Sequence, residues 1–226
     1  MKTAIIIPST SNGRDWKYPR HSYLFKTLGS IQETTYCQSN IKVYVGIDED
    51  DVFYSDTCID FFNIFDIPIE FIKVNVPKGH VTKIWNILSK KAYEDQCNYI
   101  YMCGDDITFQ TKGWLDASIQ TLEENNNIGM TGPRNTNGNT RILTQCLVHR
   151  KHLDIFGFFF PEEIKNWYCD DWINDIYPKL RIEDKYTCFN SGGEPRYVIE
   201  YAREICEKLV KRDKEILEKY KNENTG

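Results

Sequence analysis

The sequence predicts an α/β fold: one domain over residues 1–226, with a mostly parallel central sheet, helices on both faces and a long C-terminal helix. Three observations point there. Short β-branched apolar runs alternate with helix-length segments. Each run stops abruptly in polar or glycine-rich residues. The end of the chain repeats apolar positions at helical spacing among many Lys and Glu. With 226 residues, 41% of them hydrophobic and 27% charged, the chain can bury a core of that size.

Taken in order, residues 4–7 form a continuous isoleucine-rich run that Pro8 closes, and 41–47 form a second run ended by acidic residues. Residues 69–76 stop at Pro77, and 99–103 stop at Gly104. Between them, helices are predicted over 21–33, 56–65 and 81–95, the last with Ile84, Leu88 and Ala92 on one face. Strands alternating with helices imply a parallel sheet covered on both sides. The second half predicts a helix over 113–124, a Gly/Asn-rich loop over 132–140 and a strand over 142–148. A short helical stretch over 162–167 and a helix from 172 toward 177 follow, then a long amphipathic helix over 195–220. The aromatic run 156–160 reads as core before sugar platform, because adjacent rings cannot all face a ligand.

In such sheets ligands lie beyond the carboxyl ends of the strands. Those exits are polar here. At the first, Pro8, Ser9, Thr10 and Arg14 offer backbone amides, hydroxyls and a guanidinium. At the second, Asp48 can accept from a ribose or a uracil-type base. Lys83 and Asn86, one turn apart on the third helix, offer a phosphate contact. At the fourth exit Asp105 and Asp106 follow a glycine; two adjacent carboxylates repel unless neutralised, and hard oxygens suit Mg²⁺ or Mn²⁺. His149, after the strand 142–148, is a further candidate metal ligand, and His80 stands at the third exit. Asp170 and Asp171 lie between Cys169 and Trp172 in aromatic surroundings that favour a raised carboxyl pKa and a general base. Each position has a plainer alternative: a solvated loop, a turn residue, a structural histidine, a helix cap.

Composition narrows the partners. A net charge of −5 without a Lys/Arg stripe gives no support to nucleic acid as a partner. Eight cysteines without a C-x-x-C pair give no zinc ribbon or redox motif and read as free thiols. The opening apolar run is too short for a signal core or membrane span, and no Asn-x-Ser/Thr acceptor occurs. A cytoplasmic, reducing location follows.

With its residues in this order the chain resembles the glycosyltransferases of the GT-A fold over nearly all of residues 1 to about 180. Residues 5–10 look like that fold's opening strand and nucleotide loop, 45–48 like its second strand and base-binding acid, and 104–106 like its metal-binding Asp-x-Asp motif. Residues 169–172 are similar to the segment that supplies the catalytic base in inverting members, with Asp171 the nearer match. Through residues 104–107, 144–145 with 149–150, and 166–173, the chain resembles in particular glycosyltransferase domains of large DNA viruses and related protist proteins; a viral chain would work in the host cytoplasm. One departure stands out: Gly104 occupies the place of the first aspartate, leaving Asp106 as main metal ligand with Asp105 assisting.

The resemblance implies a nucleotide-binding half (1–106), an acceptor-side half (107–193) and a C-terminal helix (194–221) with a face for a homodimer. It implies Mn²⁺- or Mg²⁺-dependent, inverting transfer from a nucleotide-sugar donor, UDP-sugar favoured, to a hydroxyl of a glycan or other acceptor. Two alternatives stay open. A sugar nucleotidyltransferase would share sheet and metal, but no Gly-x-Gly-Thr-Arg loop follows the first strand. A non-catalytic nucleotide-sugar-binding module is opposed by the two acidic pairs.

Overall fold

The computed structural model describes residues 1–36, 40–178, 180–192 and 197–224. Its main sheet has the order β3-β2-β1-β4-β7: β1 (Thr3–Ser9), β2 (Ile41–Asp48), β3 (Ile69–Val74) and β4 (Tyr99–Met102) run parallel, and β7 (Cys146–His149) is antiparallel to β4. A second sheet joins β5 (Ile107–Phe109), β8 (Thr187–Asn190) and β6 (Arg134–Asn135).

The β1 run has no polar alternation because both of its faces are buried. Ala4 and Ile6 point to a core shared with α3 (Val81–Glu94), α5 (Lys151–Phe156), α6 (Cys169–Ile176) and α7 (Arg203–Asn224). Ile5 and Ile7 point to the opposite core, with α1 (Tyr23–Thr34), α2 (Asp56–Phe61) and α4 (Trp114–Glu124). Pro8, which cannot donate to a ladder, falls beyond β1's last β4 partner, Ile6. Gly46 lets α3 close onto β2: a Cβ there would stand 2.6 Å from Ile84 and 3.3 Å from Leu88.

The predicted strand over 142–148 shortens to Cys146–His149, because Asn174 of α6 takes both the N–H and the carbonyl of Leu143 that a ladder would need. The stretch 162–167 is not helical. Asn166 Oδ1 accepts from the N–H of Trp167 and of Glu200, while Thr82 Oγ1 donates to the Ile164 carbonyl, so side chains hold this segment. Phe156, Phe159 and Phe160 are buried, as core residues should be.

The long helix begins at Arg203; residues 193–196, where the prediction started it, lie outside the described residues. Cys206, Leu209 and Leu217 seal its apolar face against the chain's own core, and Asp213, fully buried, accepts from Trp172 Nε1 at 2.9 Å and from Arg212 Nε at 2.7 Å. The face predicted for a homodimer is thus largely used within the chain. The described cysteines are all free and buried; Cys37 lies outside them. Among the described residues no helix is long and apolar enough to cross a membrane.

Candidate active site

Three parallel strands end side by side, so their exits converge on a cleft of about 330 Å³. Of the predicted site residues, Pro8, Ser9, Thr10, Arg14, Asp48, Asp105 and Asp106 line it, together with His80.

The first loop is built around two buried carboxylates. Asp105 accepts from Ser9 Oγ at 2.6 Å, and the same hydroxyl meets Tyr54 OH at 2.6 Å. Asp51 accepts from Ser11 N at 2.7 Å, Ser11 Oγ at 2.6 Å and Thr10 Oγ1 at 3.2 Å. Asp105 therefore shapes the loop as much as it faces a ligand, and Asp51, to which no role was given from sequence, fixes its other end. Asp48 accepts from Asn12 Nδ2 at 3.2 Å.

Asp106 is half-buried, and its Oδ1 lies where a Cβ on Gly104 would come within 2.7 Å. The missing first aspartate of an Asp-x-Asp motif is therefore physically tied to the second: Asp106 folds over the bare backbone of Gly104. Ser191 secures the turn, its N–H and Oγ donating to the Asp106 carbonyl at 2.8 and 2.9 Å.

Two cleft residues carry buried donors that no group among the described residues satisfies, Arg14 Nε and Trp85 Nε1. Buried N–H groups are seldom left unpaired, so the pair marks where an acceptor-rich ligand fits. The sequence marks Trp85 only as part of a helix, since nothing in the spacing distinguishes a cleft-facing indole from a core one. Thr144 and Gln145 form the far wall. Gln145 Nε2 donates to Asn135 Oδ1 and Thr144 Oγ1 to Gln145 Oε1, which ties that wall to the second sheet.

Three expectations meet a different geometry. His149 pairs with Tyr99 at the start of β4, whereas Asp105 and Asp106 follow its end. Six residues at ~3.3 Å per residue put it about 20 Å away, because β7 runs against the parallel strands and its own exit points to the opposite edge. Burial and the neighbouring Lys151 push the His149 pKa down to about 4. Lys83 turns outward to Glu162 at 3.4 Å and does not line the cleft. Asn86 donates to the Phe160 carbonyl and accepts from the N–H of Phe159 and Phe160, holding the aromatic loop.

Asp170 and Asp171 open α6 beside the far wall, though neither lines the cleft. Their side chains bond to each other, and Asp170 Oδ1 also accepts from the Asp171 N–H at 3.1 Å. Asp170 acts on Cys146, and its carbonyl accepts from Asn174, the residue that grips Leu143, next to Thr144. Both charges bear on Cys206 of α7, Asp171 more than Asp170. Burial, then the Asp171 charge, raises the Asp170 carboxyl to about 6.

Among the described residues no three His, Cys, Asp or Glu side chains converge as a metal cage. Asp106, with Asp105 engaged by Ser9, instead fits a cation of the Mg²⁺ or Mn²⁺ kind that draws its remaining ligands from substrate phosphates and water.

No protein-family model matches the chain, and no curated protein matches it in sequence. Solved structures match it in fold. S. aureus TarS 1-349 in complex with UDP-GlcNAc gives a TM-score of 0.65 at 14% identity, over 94% of this chain and 66% of that one. The mannosyltransferase PcManGT from Pyrobaculum calidifontis, in complex with GDP-Man and Mn²⁺, gives 0.62 at 10% identity, over 87% and 58%. S. aureus TarS gives 0.64 at 15% identity, over 93% of this chain and 39% of that one. The chain thus spans between 39% and 66% of the length of these three structures. What the likeness establishes is the architecture, a GT-A-like α/β fold shared with nucleotide-sugar glycosyltransferases.

Proposed function

We propose that this chain is a glycosyltransferase that moves a sugar from a nucleotide-sugar donor to an acceptor hydroxyl. The observation that carries the reading is the cleft at the carboxyl ends of β1, β2 and β4, which brings Asp48, the unsatisfied donors Arg14 Nε and Trp85 Nε1, and Asp106 to one cavity. Two of its fold neighbours, solved with UDP-GlcNAc and with GDP-Man, support a nucleotide-sugar donor; a UDP-sugar is favoured because the Asp48 carboxylate suits the single N–H of uracil. In this reading Thr10, Asn12 and Asp48 hold the nucleoside, and Arg14 and Trp85 donate to diphosphate or sugar oxygens. Mn²⁺ or Mg²⁺ held by Asp106, with Asp105 behind it, would neutralise charge on the leaving diphosphate.

Asp170 receives the acceptor proton. A carboxyl titrating at about 6 is mostly ionised at neutral pH yet basic enough to accept a proton in the transition state. As the acceptor oxygen bonds to the anomeric carbon, the bond to the diphosphate breaks and the nucleoside diphosphate departs. A single displacement of this kind inverts the anomeric centre. Asp171 positions Asp170 through its charge.

The test is incubation with UDP- and GDP-sugars and Mn²⁺, with and without saccharide acceptors, following released nucleoside diphosphate. Metal-dependent release lost in Asp106→Asn supports the reading. Pyrophosphate release from a sugar phosphate plus a nucleoside triphosphate would replace it with a nucleotidyltransferase, and donor binding without turnover would replace it with a binding module.

A further inference from the structure

A second, smaller cavity of about 60 Å³ adjoins the cleft. Leu143 lines this cavity and Thr144 lines the cleft, so adjacent residues face the two. Apolar residues line much of it, together with three exposed arginines, Arg134, Arg141 and Arg181. In a chain with a net charge of −5 this is a local reversal of sign. Among the described residues, the acidic partner these three have is Asp184, which meets Arg134 at a loose 4.0 Å between exposed side chains. By contrast, Arg203 meets Glu207 at 3.0 Å and Arg212 meets Asp213 at 2.7 Å. Loosely engaged arginines around one apolar hollow have the chemistry of an oxyanion site, because each can present two parallel N–H donors to one carboxylate or phosphate.

Its place relative to Asp170 gives the site a role. Asn174 lines the hollow and its side chain donates to the Asp170 carbonyl at 2.8 Å; the two residues are four apart on α6 and so share a face. One turn, about 5.4 Å, separates them along the helix. Residues 143 and 144 join the hollow to the cleft, so a ligand anchored in the hollow would reach the donor across them, beside the start of α6.

We infer that the Arg134–Arg141–Arg181 hollow binds an anionic group of the acceptor, a phosphate or a carboxylate carried about one sugar unit from the hydroxyl that is glycosylated. The inference rests on the glycosyltransferase reading for its role, though not for the binding itself. Isotope-labelled protein is titrated with glucose 6-phosphate, glucuronate and neutral glucose, with the Arg141 and Arg181 Nε–H signals as the readout. Saturable shifts with at least one of the two acids and none with glucose are expected, and whichever acid binds identifies the group. Affinity should fall tenfold or more in Arg141→Gln/Arg181→Gln, and by about threefold or more in Arg181→Gln alone should the double variant not fold. Equal shifts with glucose, shifts confined to Arg14 of the cleft, or undiminished affinity in the variants would overturn the inference. A parallel UDP titration separates the two claims: arginine shifts without UDP binding would overturn the donor reading alone, and UDP binding without arginine shifts would overturn this one alone.

Discussion

Replacing Asp170 with asparagine separates what this carboxylate costs the fold from what it does. Burial beside Asp171 raises its pKa from 3.8 to about 6. That difference, at ~1.4 kcal/mol per pH unit, is a penalty of about 3 kcal/mol for holding the charged form in the folded protein. The half-buried carboxyl keeps some water, which reduces the figure to about 2 kcal/mol. Because the folded-state pKa is raised, the group's stabilising contribution is complete below about pH 4 and is lost as pH rises through 6. The amide of the variant carries no charge at any pH. Urea unfolding of wild type and Asp170→Asn should give similar relative stabilities at pH 4 but a variant gaining about 2 kcal/mol on wild type at pH 8, or roughly 4–8 °C in Tm. Sugar transfer should fall by ~10²–10⁴-fold in the same variant, and the wild-type rate should rise with pH through a single ionisation near 6. Parallel stability curves from pH 4 to 8 would refute the burial argument, and undiminished transfer would refute the assignment of the base.

Gly104→Asp, which restores the outward form of an Asp-x-Asp motif, should instead displace the Asp106 carboxylate 2.7 Å from the new Cβ; calorimetry should find Mn²⁺-dependent donor binding weakened about tenfold or more. Trp85→Phe removes an indole N–H that has no partner among the described residues, so melting temperature should change little while donor affinity falls by about 5–10-fold, the value of one hydrogen bond. His149→Ala should leave Mn²⁺ affinity unchanged, since the ring packs on Tyr99 at 5.1 Å at the other end of β4; a loss of Mn²⁺ affinity measured by paramagnetic relaxation would contradict that placement.

The parallel core was legible because periodicity and abrupt polar exits are local properties, and a parallel sheet gathers those exits at one edge. That is why seven residues chosen at the ends of short runs line a single cleft. Direction was not legible. Nothing in residues 142–148 reveals that β7 opposes β4, and that one reversal carries His149 to the wrong edge. The second sheet, in strands of two to four residues, is too short to show a period. Side-chain competition also hides from a window of sequence: Asn174 and Asn166 claim backbone groups 31 to 34 residues away and convert a predicted strand end and a predicted helix into loops. The resemblance points to Asp171, but which member of an adjacent acidic pair is the more basic depends on burial, which no window of sequence shows: here burial and the Asp171 charge raise Asp170.

The central claim is that the cleft where β1, β2 and β4 end holds a nucleoside diphosphate against Asp106. Titrating isotope-labelled protein with UDP and Mg²⁺ and following the backbone amides tests it directly. Shifts should concentrate at Thr10, Arg14, Asp48 and Gly79, the last lining the cleft beside His80, and weaken sharply in Asp106→Asn. Binding that perturbs other surfaces and spares these four residues would contradict the account.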